Sequence, residues 1–381
     1  MHRHPITCII PPHMLKEIIR NGSEEQRVFA LQTLQISAQF RGQRQAVRDL
    51  AGVLSLAVAP GKQRIIYDAQ NGSQLPGVVV RREGDPPVTD PAVNEAYDGS
   101  GLTYDLFYEF YGRNSIDGRG LRLDSTVHYM KGYDNAFWNG QQMVYGDGDE
   151  DLPPAQRLFN RFTVAIDIIG HELTHGVTEY EAKLAYYGQS GALNESMSDV
   201  FGSLVKQYQR RQTAAEADWV IGQGLFTSNV NGIGIRSMKA PGTAYDDPLL
   251  GKDPQPGHIK DYVNTVEDNG GVHINSGIPN HAFYVTALEI GGYAWEKAGN
   301  IWYLALRDKL TSSSNFQQAA DLTYAVAGQL YGVHSLEQQA VKKGWAEVGL
   351  VAGSGTTPEP PAPGNDGCLT ALLRALGWTR V

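Results

Sequence analysis

The chain has 381 residues, of which 41% are hydrophobic and 19% charged, and a formal net charge of −9. This length is too great for one compact core, so we expect at least two structural units of an ordinary globular protein. The acidic balance argues against nucleic-acid binding and against adsorption to membranes, and no apolar run could span a bilayer. The two cysteines, Cys8 and Cys368, lie too far apart in sequence to indicate a disulfide framework or a cysteine zinc site.

Residues 1–50 form a candidate N-terminal leader. Its start has only a few consecutive apolar residues, whereas a secretory signal needs an apolar core of roughly 7–15 residues. We therefore expect cytoplasmic synthesis without a signal peptide. If the protein is secreted, we expect a non-classical route that the sequence does not show.

Two helices are predicted in the leader. Apolar residues at helical spacing over residues 14–19 predict the first, which the Asn-Gly pair at 21–22 ends. Ser23, with acids and a glutamine behind it, predicts a capping box and a second helix to about Phe40, followed by an exposed basic linker to Arg48. Two short helices cannot bury a core alone, so the leader should dock on the rest of the chain.

The remaining sequence divides into a sheet-rich part and a helical part. Strands are predicted at residues 63–67 and 78–81 among many turn signals, and this texture continues to about residue 150. Helices are predicted over residues 158–180, 194–209, 280–290, 299–311, 315–331 and 336–349. A flexible Pro/Gly-rich linker follows from residue 352, and residues 368–381 are either a short amphipathic helix or a loosely attached tail.

The strongest chemical motif is His171-Glu172-Leu173-Thr174-His175. Two histidines four residues apart on a helix project from one face, and the glutamate between them can approach a metal-bound water. Catalytic zinc needs at least three protein ligands and one open position. A chance match is common for so short a motif, but the apolar flank predicts a buried helix, where unpartnered ionisable groups are costly.

The third ligand is predicted to be Glu195. A helix, a turn and a second helix would return Glu195 to the first helix, with Asp199 on the same face to accept the free N–H of a ligating histidine. The alternative is that both acids only complement the dipole of a helix N-terminus. A metzincin would need a third histidine six residues after His175, and Glu181 at that position excludes this class.

Longer strings extend the motif, and with them the chain resembles the thermolysin family of metallopeptidases over about residues 60–350. The matching strings lie at residues 135–140, 143–149, 170–176, 190–196 and 268–277. The short leader, with Cys8-Ile9-Ile10-Pro11-Pro12, further resembles the protealysin branch of that family, which has a brief propeptide.

The resemblance implies a two-lobed α+β fold with zinc in the cleft between the lobes. It implies a propeptide-like leader over residues 1–50, a sheet-rich catalytic lobe over 51–185 that includes the motif helix, a helical catalytic lobe over 186–351, and a linker and tail over 352–381. It also implies a zinc-dependent neutral endopeptidase that is made as a proenzyme and acts on peptides or proteins.

The resemblance further assigns roles to individual residues. Glu172 would be the general base that activates a zinc-bound water, and zinc would lower the pKa of that water to about 7. The zinc ligands would be His171, His175 and Glu195; His273 and Tyr186 would stabilise the oxyanion, Asp268 would orient His273, and Asn194 and Asp199 would support the zinc histidines.

Substrate contacts are likewise implied. Asn135 and the Ala136 backbone would hold the peptide in an extended register, and Arg236 would bind a substrate carbonyl on the leaving side. The pocket for the residue after the cut would be lined by Phe159, Phe162, Ile168, Ile221 and Ile235. This pocket predicts cleavage on the N-terminal side of bulky apolar residues.

One departure from the family concerns calcium. Asp167 and Asp218 remain where relatives bind a pair of calcium ions, but Lys206, Val220 and Gln223 stand where three acids are expected. Because calcium needs 6–8 oxygen ligands, we predict no double calcium site and an ion pair between Lys206 and Asp167. The acidic loop at residues 147–151 lacks the other positions of a calcium loop and is interpreted as a solvated turn; other calcium sites stay open.

A second departure is Cys8. Its thiolate could occupy the open zinc position and keep a precursor inactive, although a lone cysteine is more often a small buried hydrophobe. We favour a steric role for the leader, which would block the cleft until it is cut near residues 45–55. Two other functions stay open: an aminopeptidase, which would need acidic residues to capture a free amine, and a non-catalytic binding protein.

Overall fold

A six-stranded mixed sheet and a long helix behind it form the N-terminal lobe. The computed structural model describes residues 7–51 and 61–353, with backbone alone for Thr7 and for residues 38–51. The sheet order is β1-β5-β6-β4-β2-β3. Its strands are β1 (Thr7–Cys8), β2 (Arg64–Asp68), β3 (Val78–Arg82), β4 (Leu123–Val127), β5 (Ala136–Trp138) and β6 (Met143–Tyr145).

Ten α-helices surround this sheet and build the C-terminal lobe in the described part of the chain. They are α1 (Pro12–Asn21), α2 (Glu24–Ala51), α3 (Pro91–Tyr111), α4 (Ile166–Tyr180), α5 (Gly188–Arg210), α6 (Asp268–Asn275), α7 (Gly277–Ile290), α8 (Ala298–Asp308), α9 (Phe316–Tyr331) and α10 (Leu336–Glu347). Four short strands complete the lobe: β7 (Val220–Ile221), β8 (Arg236–Ser237), β9 (Asp246–Asp247) and β10 (Gly251–Lys252). The expected α+β class, with a sheet-rich and a helical lobe, is confirmed.

The leader helices follow the sequence signals in part. Helix α1 ends at Asn21, before Gly22. The predicted capping box forms, since the Gln26 backbone N–H donates to Ser23 Oγ at 3.3 Å and the Gln26 side chain accepts from the Ser23 N–H at 2.7 Å. Helix α2 then continues to Ala51, so the predicted end at Phe40 and the linker over residues 40–48 are wrong. Arginine, glutamine and alanine, which favour helices, are frequent in that stretch.

Helix α3 was not predicted at all. It has a capped start, because the Asp90 side chain accepts from the Ala92 N–H at 2.9 Å, and it ends at Gly112, which has a left-handed φ of 63°. Gly99 and Gly101 within it suggest a turn in the sequence. In the structure Gly99 instead allows α3 to pack closely on α4, since a Cβ at this position would lie 2.4 Å from Ile169 Cδ1.

Helices α4 and α5 differ from their predicted bounds. Helix α4 begins at Ile166 rather than residue 158, because Asp149 accepts the backbone N–H groups of Leu158 and Phe159 at 2.7 and 3.0 Å and holds that segment as a loop. Asp149 is therefore buried, and the prediction of a solvated acidic turn is wrong at this residue. Helix α5 begins at Gly188, six residues early, where a turn was expected.

The two central helices approach each other closely. A Cβ at Gly202 of α5 would lie 2.4 Å from the Asp167 carbonyl oxygen of α4, and a Cβ at Gly170 would lie 3.1 Å from Gly202 Cα. Glycine at these crossing points lets the helix backbones meet. This contact fixes the distance between the side chains that the two helices contribute to the cleft.

Beyond residue 353 nothing is described, so the linker and the predicted amphipathic segment from Cys368 lie outside the described residues. Within the described ranges, no helix is long and apolar enough to cross a membrane.

His128 ties the sheet to the start of α3, and this contact predicts a pH dependence. Its Nδ1 lies 2.8 Å from Asp147 and its Nε2 lies 2.7 Å from Asp90. The hydrogen bond to Asp147, helped by Asp90 and opposed by burial, raises the pKa of His128 from 6.5 to about 9. A raised pKa stabilises the fold fully below about pH 6.5, and this contribution is lost as the pH rises through about 9.

We therefore expect the free energy of unfolding to fall between pH 7 and pH 9.5 by more in the wild type than in a His128→Gln variant. Denaturant unfolding at both pH values measures the difference. His334, which is exposed on a surface loop, provides the control variant His334→Gln. Equal pH dependence in the wild type and His128→Gln would contradict the assignment.

Candidate metal centre

Helices α4 and α5 bring three potential ligands together in the cleft. His171 Nε2 and His175 Nε2 lie 2.9 Å apart, and each lies 3.5 Å from an oxygen of Glu195. These three residues form the one group of metal-binding type found among the described residues, and all three are buried. The i, i+4 spacing on α4 and the close contact with α5 produce this convergence.

The hydrogen bonds behind the histidines test whether a metal fits. His171 Nδ1 lies 2.8 Å from Asp199 Oδ1, and His175 Nδ1 lies 2.8 Å from Asn194 Oδ1. Since each Nδ1 faces an acceptor oxygen, the Nε2 lone pairs face one another and repel unless a cation binds them. Glu195 Oε2 is buried without a hydrogen-bond partner among the described residues. This donor set fits zinc.

Asp199 is the centre of a buried ionic network. It accepts from Arg236 Nε at 2.8 Å, from Arg236 Nη2 at 2.7 Å and from Asn280 Nδ2 at 2.8 Å, in addition to facing His171. Burial alone would raise its pKa, but the Arg236 guanidinium and His171 hold the pKa of Asp199 well below its usual range. Asp199 therefore stays ionised and fixes the His171 ring.

Glu172 lies between the two histidines and is fully buried. Its Oε2 accepts from the Trp138 backbone N–H of β5 at 3.2 Å. This contact links the carboxylate to the edge of the sheet, where an extended peptide can bind. The arrangement places a carboxylate beside the potential ligands and beside a peptide-binding edge.

Tyr186, His273 and Asp268 form the opposite wall. The Tyr186 hydroxyl donates to Glu195 Oε1 and lies 3.1 Å from His273 Nε2. Asp268 Oδ1 lies 2.6 Å from His273 Nδ1. Burial opposes the charged form, but Asp268 and Glu195 raise the pKa of His273 to about 9. Asp268 thus holds the His273 ring with its Nε2 towards the Tyr186 hydroxyl.

The backbone before His273 explains this placement. Asn269, Gly270 and Gly271 all have left-handed φ angles, of 52°, 82° and 76°. Glycine adopts this conformation without strain. The resulting loop turns Asp268 back, so that its Oδ2 also accepts from the His273 backbone N–H at 2.8 Å.

The leader strand lies in this cleft. Strand β1 pairs antiparallel with β5, with Cys8 opposite Phe137. The Ile9 N–H donates to the Ala136 carbonyl at 3.4 Å, and the Ile10 N–H donates to Asn135 Oδ1 at 3.0 Å. Arg236 Nη1 donates to the Ile9 carbonyl at 3.2 Å, and His273 Nε2 lies 3.0 Å from the Cys8 carbonyl.

The five predicted pocket residues are buried and belong to the main hydrophobic core, which spans both lobes and also contains Ile9. These residues are Phe159, Phe162, Ile168, Ile221 and Ile235. The β7–β8 pairing sets Ile221 opposite Arg236, which joins this cluster to the guanidinium at the cleft.

The Cys8 thiol does not join the metal group. It donates to Ser37 Oγ at 3.6 Å and packs among Tyr133, Phe137 and Val144. Residues directly opposite in an antiparallel pair share one face of the sheet, so the side chain of Cys8 follows that of Phe137. The structure thus brings the carbonyl of Cys8, rather than its sulfur, to the catalytic groups.

Lys206 lies between Asp167 and Asp218, the two acids considered above as remnants of a calcium site. Its Nζ lies 2.9 Å from Asp167 Oδ2 and 2.8 Å from Asp218 Oδ1, and it also donates to the Val220 carbonyl. The predicted pair with Asp167 is present. One ammonium group thus lies between the two remaining carboxylates.

Sequence reasoning missed three contributors to the site. Asn280 supports Asp199, Ser198 Oγ lies 3.0 Å from His175 Nδ1, and His13 of the leader contacts the C-terminal lobe. Asn280 and Ser198 are polar side chains on otherwise buried helix faces. That pattern is the signal that could have found them.

Comparisons with known proteins agree with this geometry. Residues 61–179 match the catalytic domain of the thermolysin metallopeptidases, residues 182–350 match their α-helical domain, and residues 8–36 match the protealysin propeptide. The chain therefore belongs to the thermolysin family of metallopeptidases, in the branch with a protealysin-type propeptide. It is a metalloendopeptidase in precursor form.

Individual relatives cover almost the whole chain. The chain is 51% identical over 351 residues to an extracellular metalloprotease of Pectobacterium carotovorum subsp. carotovorum, covering 92% of this chain and 98% of the relative. It is 48% identical over 347 residues to protease PrtS of a Photorhabdus species, covering 90% of this chain and 91% of the relative. The solved structure of the precursor of protealysin, a metalloproteinase from Serratia proteamaculans, is similar with a TM-score of 0.81 and 53% sequence identity. The match covers 91% of this chain and 100% of the protealysin chain.

Proposed function

We propose that the chain is a zinc-dependent neutral endopeptidase, made as a proenzyme, that cleaves peptides on the N-terminal side of bulky apolar residues. The observation that carries this proposal is the buried group of His171, His175 and Glu195 with Glu172 beside it. A zinc ion held by three protein ligands would keep an open position for water. When bound there, zinc would act as a Lewis acid that makes water nucleophilic near neutral pH.

The surrounding side chains would perform the proton transfers. Glu172 would take a proton from the attacking water and pass it to the nitrogen of the leaving amine. His273 Nε2–H and the Tyr186 hydroxyl would donate to the oxyanion, and Asp268 would hold His273 in its charged form. Asp199 and Asn194 would keep the two ligating rings in the tautomer that leaves Nε2 available.

Substrate binding is proposed to follow the contacts of the leader strand. Asn135 Oδ1 and the Ala136 carbonyl would accept from substrate N–H groups, and Arg236 would donate to the carbonyl of the residue after the cut. The buried cluster around Phe159 and Ile221 would take that residue's side chain, since apolar burial stabilises a bulky aliphatic or aromatic group.

The leader is proposed to inhibit by occupying the cleft. Met14, Leu15 and Ile18 of α1 are buried, and Lys16 Nζ lies 2.8 Å from Glu267 of the C-terminal lobe. A substrate cannot add to the edge of β5 while β1 is paired there. Removal of the leader would therefore be needed for activity, and the relatives named extracellular support activity outside the cell.

One experiment tests the proposal. We expect the purified chain to hold one zinc ion, the leader-free form to cleave a protein such as casein at internal bonds before Leu, Ile, Val or Phe, and a chelator to abolish this activity until zinc is restored. Mass spectrometry of the fragments reads the cleavage bonds. Release of single N-terminal residues alone would instead indicate an aminopeptidase, and no cleavage with zinc bound would indicate a binding protein.

Acidification should weaken the hold of the leader through His13. Its Nε2 lies 3.0 Å from the Tyr245 hydroxyl, while its Nδ1 is enclosed without a hydrogen-bond partner. Burial, only partly offset by Asp268, lowers the pKa of His13 from 6.5 to about 4. The docked leader thus requires neutral His13, and linkage predicts about 20-fold weaker docking at pH 5 than at pH 7 from this group.

The rate of leader cleavage by a trace of added trypsin at pH 7 and pH 5 measures this effect in the Glu172→Gln precursor. A His13→Leu variant should lose most of the difference, after correction for the pH dependence of trypsin on a model peptide. An unchanged difference in that variant would assign the pH effect to other groups.

A further inference from the structure

We propose that the leader is itself a substrate of this centre, and that the Cys8–Ile9 peptide bond is the one presented for hydrolysis. The inference rests on the proposed function and names one peptide bond of this chain that the centre would hydrolyse. It is carried by four contacts of the leader backbone, one before that bond and three after it, which define how the leader strand is aligned with the catalytic groups.

The first step concerns the carbonyl that would be attacked. The Cys8 carbonyl oxygen lies 3.0 Å from His273 Nε2. That nitrogen lies 3.1 Å from the Tyr186 hydroxyl and 3.6 Å from Glu195 Oε1. The carbonyl of Cys8 therefore faces the groups that would receive an oxyanion, beside a proposed zinc ligand.

The second step concerns the leaving side. The next carbonyl, that of Ile9, accepts from Arg236 Nη1 at 3.2 Å. The Ile9 N–H donates to the Ala136 carbonyl at 3.4 Å, and the Ile10 N–H donates to Asn135 Oδ1 at 3.0 Å. Successive carbonyls thus contact different walls of the cleft. Together with the contact of the Cys8 carbonyl, these contacts define the alignment of the leader seen in the structure.

The side chain on the leaving side also fits. Ile9 has no exposed surface and belongs to the main hydrophobic core, and its carbonyl contacts Arg236, which directly follows the pocket residue Ile235. A buried isoleucine directly after the bond is the type of residue that the proposed specificity requires. Strand β1 supplies the preceding residues by antiparallel pairing with β5, which is a common mode of peptide recognition.

Hydrolysis of this bond needs only water. The water oxygen joins the Cys8 carbonyl carbon, the carbon–nitrogen bond breaks, and a proton moves through Glu172 to the new Ile9 amine. The products are a peptide that ends in a Cys8 carboxylate and a chain that begins with Ile9. No oxidant or further reactant takes part.

The cut would leave the leader in place. The contacts beyond Ile9 do not depend on the broken bond: Lys16 with Glu267, and the Gln26 side chain with the Gln156 carbonyl at 2.7 Å. The Asp134 N–H also donates to Thr33 Oγ1 at 3.1 Å, which anchors α2 to the sheet lobe. We therefore expect a nicked precursor that is still inhibited, because Ile9 and Ile10 continue to fill the leaving side of the cleft.

The test uses the full-length, zinc-loaded chain. N-terminal sequencing and intact mass over time should show a new terminus at Ile9 before casein cleavage appears. The rate should not change over a 100-fold dilution, as for cleavage within one molecule. An intact Cys8–Ile9 bond in a precursor whose leader-free form cleaves peptides would overturn the inference alone. A leader-free form that cleaves no peptide would overturn the proposed function.

Two variants and a second measurement sharpen this test. Ile9→Asp should prevent the cut, because a carboxylate would enter an apolar pocket, whereas Ile9→Leu should be cut normally. In the Glu172→Gln chain, which cannot cut, the Ile9 and Ile10 amide hydrogens should exchange slowly with solvent. Rapid exchange of both amides, or equal cleavage of the two Ile9 variants, would overturn the inference.

Discussion

A Glu172→Gln variant is expected to bind zinc as the wild type does and to lose roughly 10²–10⁴-fold in kcat/KM. The reason is that glutamine preserves the shape and the hydrogen bond to Trp138 but cannot take a proton from water. Glu172 has no exposed surface and its Oε2 accepts from the Trp138 N–H at 3.2 Å, so the substitution changes little else. Steady-state hydrolysis of an apolar peptide by the leader-free variant, together with its zinc content, measures the effect.

The matched control is Glu179→Gln. Glu179 lies seven residues further along α4, two turns from Glu172, at a partly exposed position. This variant should keep its activity within about twofold. If Glu172→Gln retained full activity, the base would have to be another group, and the proposed mechanism would be wrong.

A Lys206→Met variant is expected to lose about 3–5 kcal/mol of unfolding free energy. Lys206 and Asp167 are both buried, with side chains 3% and 1% exposed, and their charged atoms lie 2.9 Å apart. Methionine fills a similar volume but leaves Asp167 and Asp218 without their shared cation. Uncompensated buried charge is among the most destabilising single changes. Denaturant unfolding of the full-length chain measures the loss.

The control for charge alone is Lys343→Met, since Lys343 pairs with Glu289 at the surface and is 57% exposed. That change should cost no more than about 1 kcal/mol. Calcium binding provides a second test of the role of Lys206. No calcium ion should bind between Asp167 and Asp218 in the wild type, because the Lys206 ammonium group lies between them. Calcium bound at these two carboxylates in crystals grown with calcium would contradict the predicted loss of the double site.

Local patterns account for the parts of the site that were predicted well. The four-residue spacing of His171 and His175 fixes their common face wherever the helix lies. The return of Glu195 follows from a short helix–turn–helix connection. The Lys206–Asp167 pair, in contrast, was predicted from the resemblance to the thermolysin family, where an acid is expected at the position of Lys206.

The errors have non-local causes. The glycines in α3 are typical of turns, but Gly99 is required because Ile169 of α4 packs directly against its backbone. The early part of the predicted 158–180 helix is a loop because Asp149, in a distant segment, captures its backbone N–H groups. Residues that contact each other across the fold carry no periodic signal in the sequence.

The sequence by itself determined the family, the α+β class and the identity of the side chains that meet at the proposed zinc site, because helical periodicity and short motifs act over a few residues. Only the tertiary structure decided how the leader lies in the cleft. Strand pairing between Cys8 and Phe137 joins segments that are distant in the chain, and it places the thiol against Ser37 of α2 and the carbonyl against His273. That choice depends on backbone hydrogen bonds, which every residue can make and no sequence pattern marks.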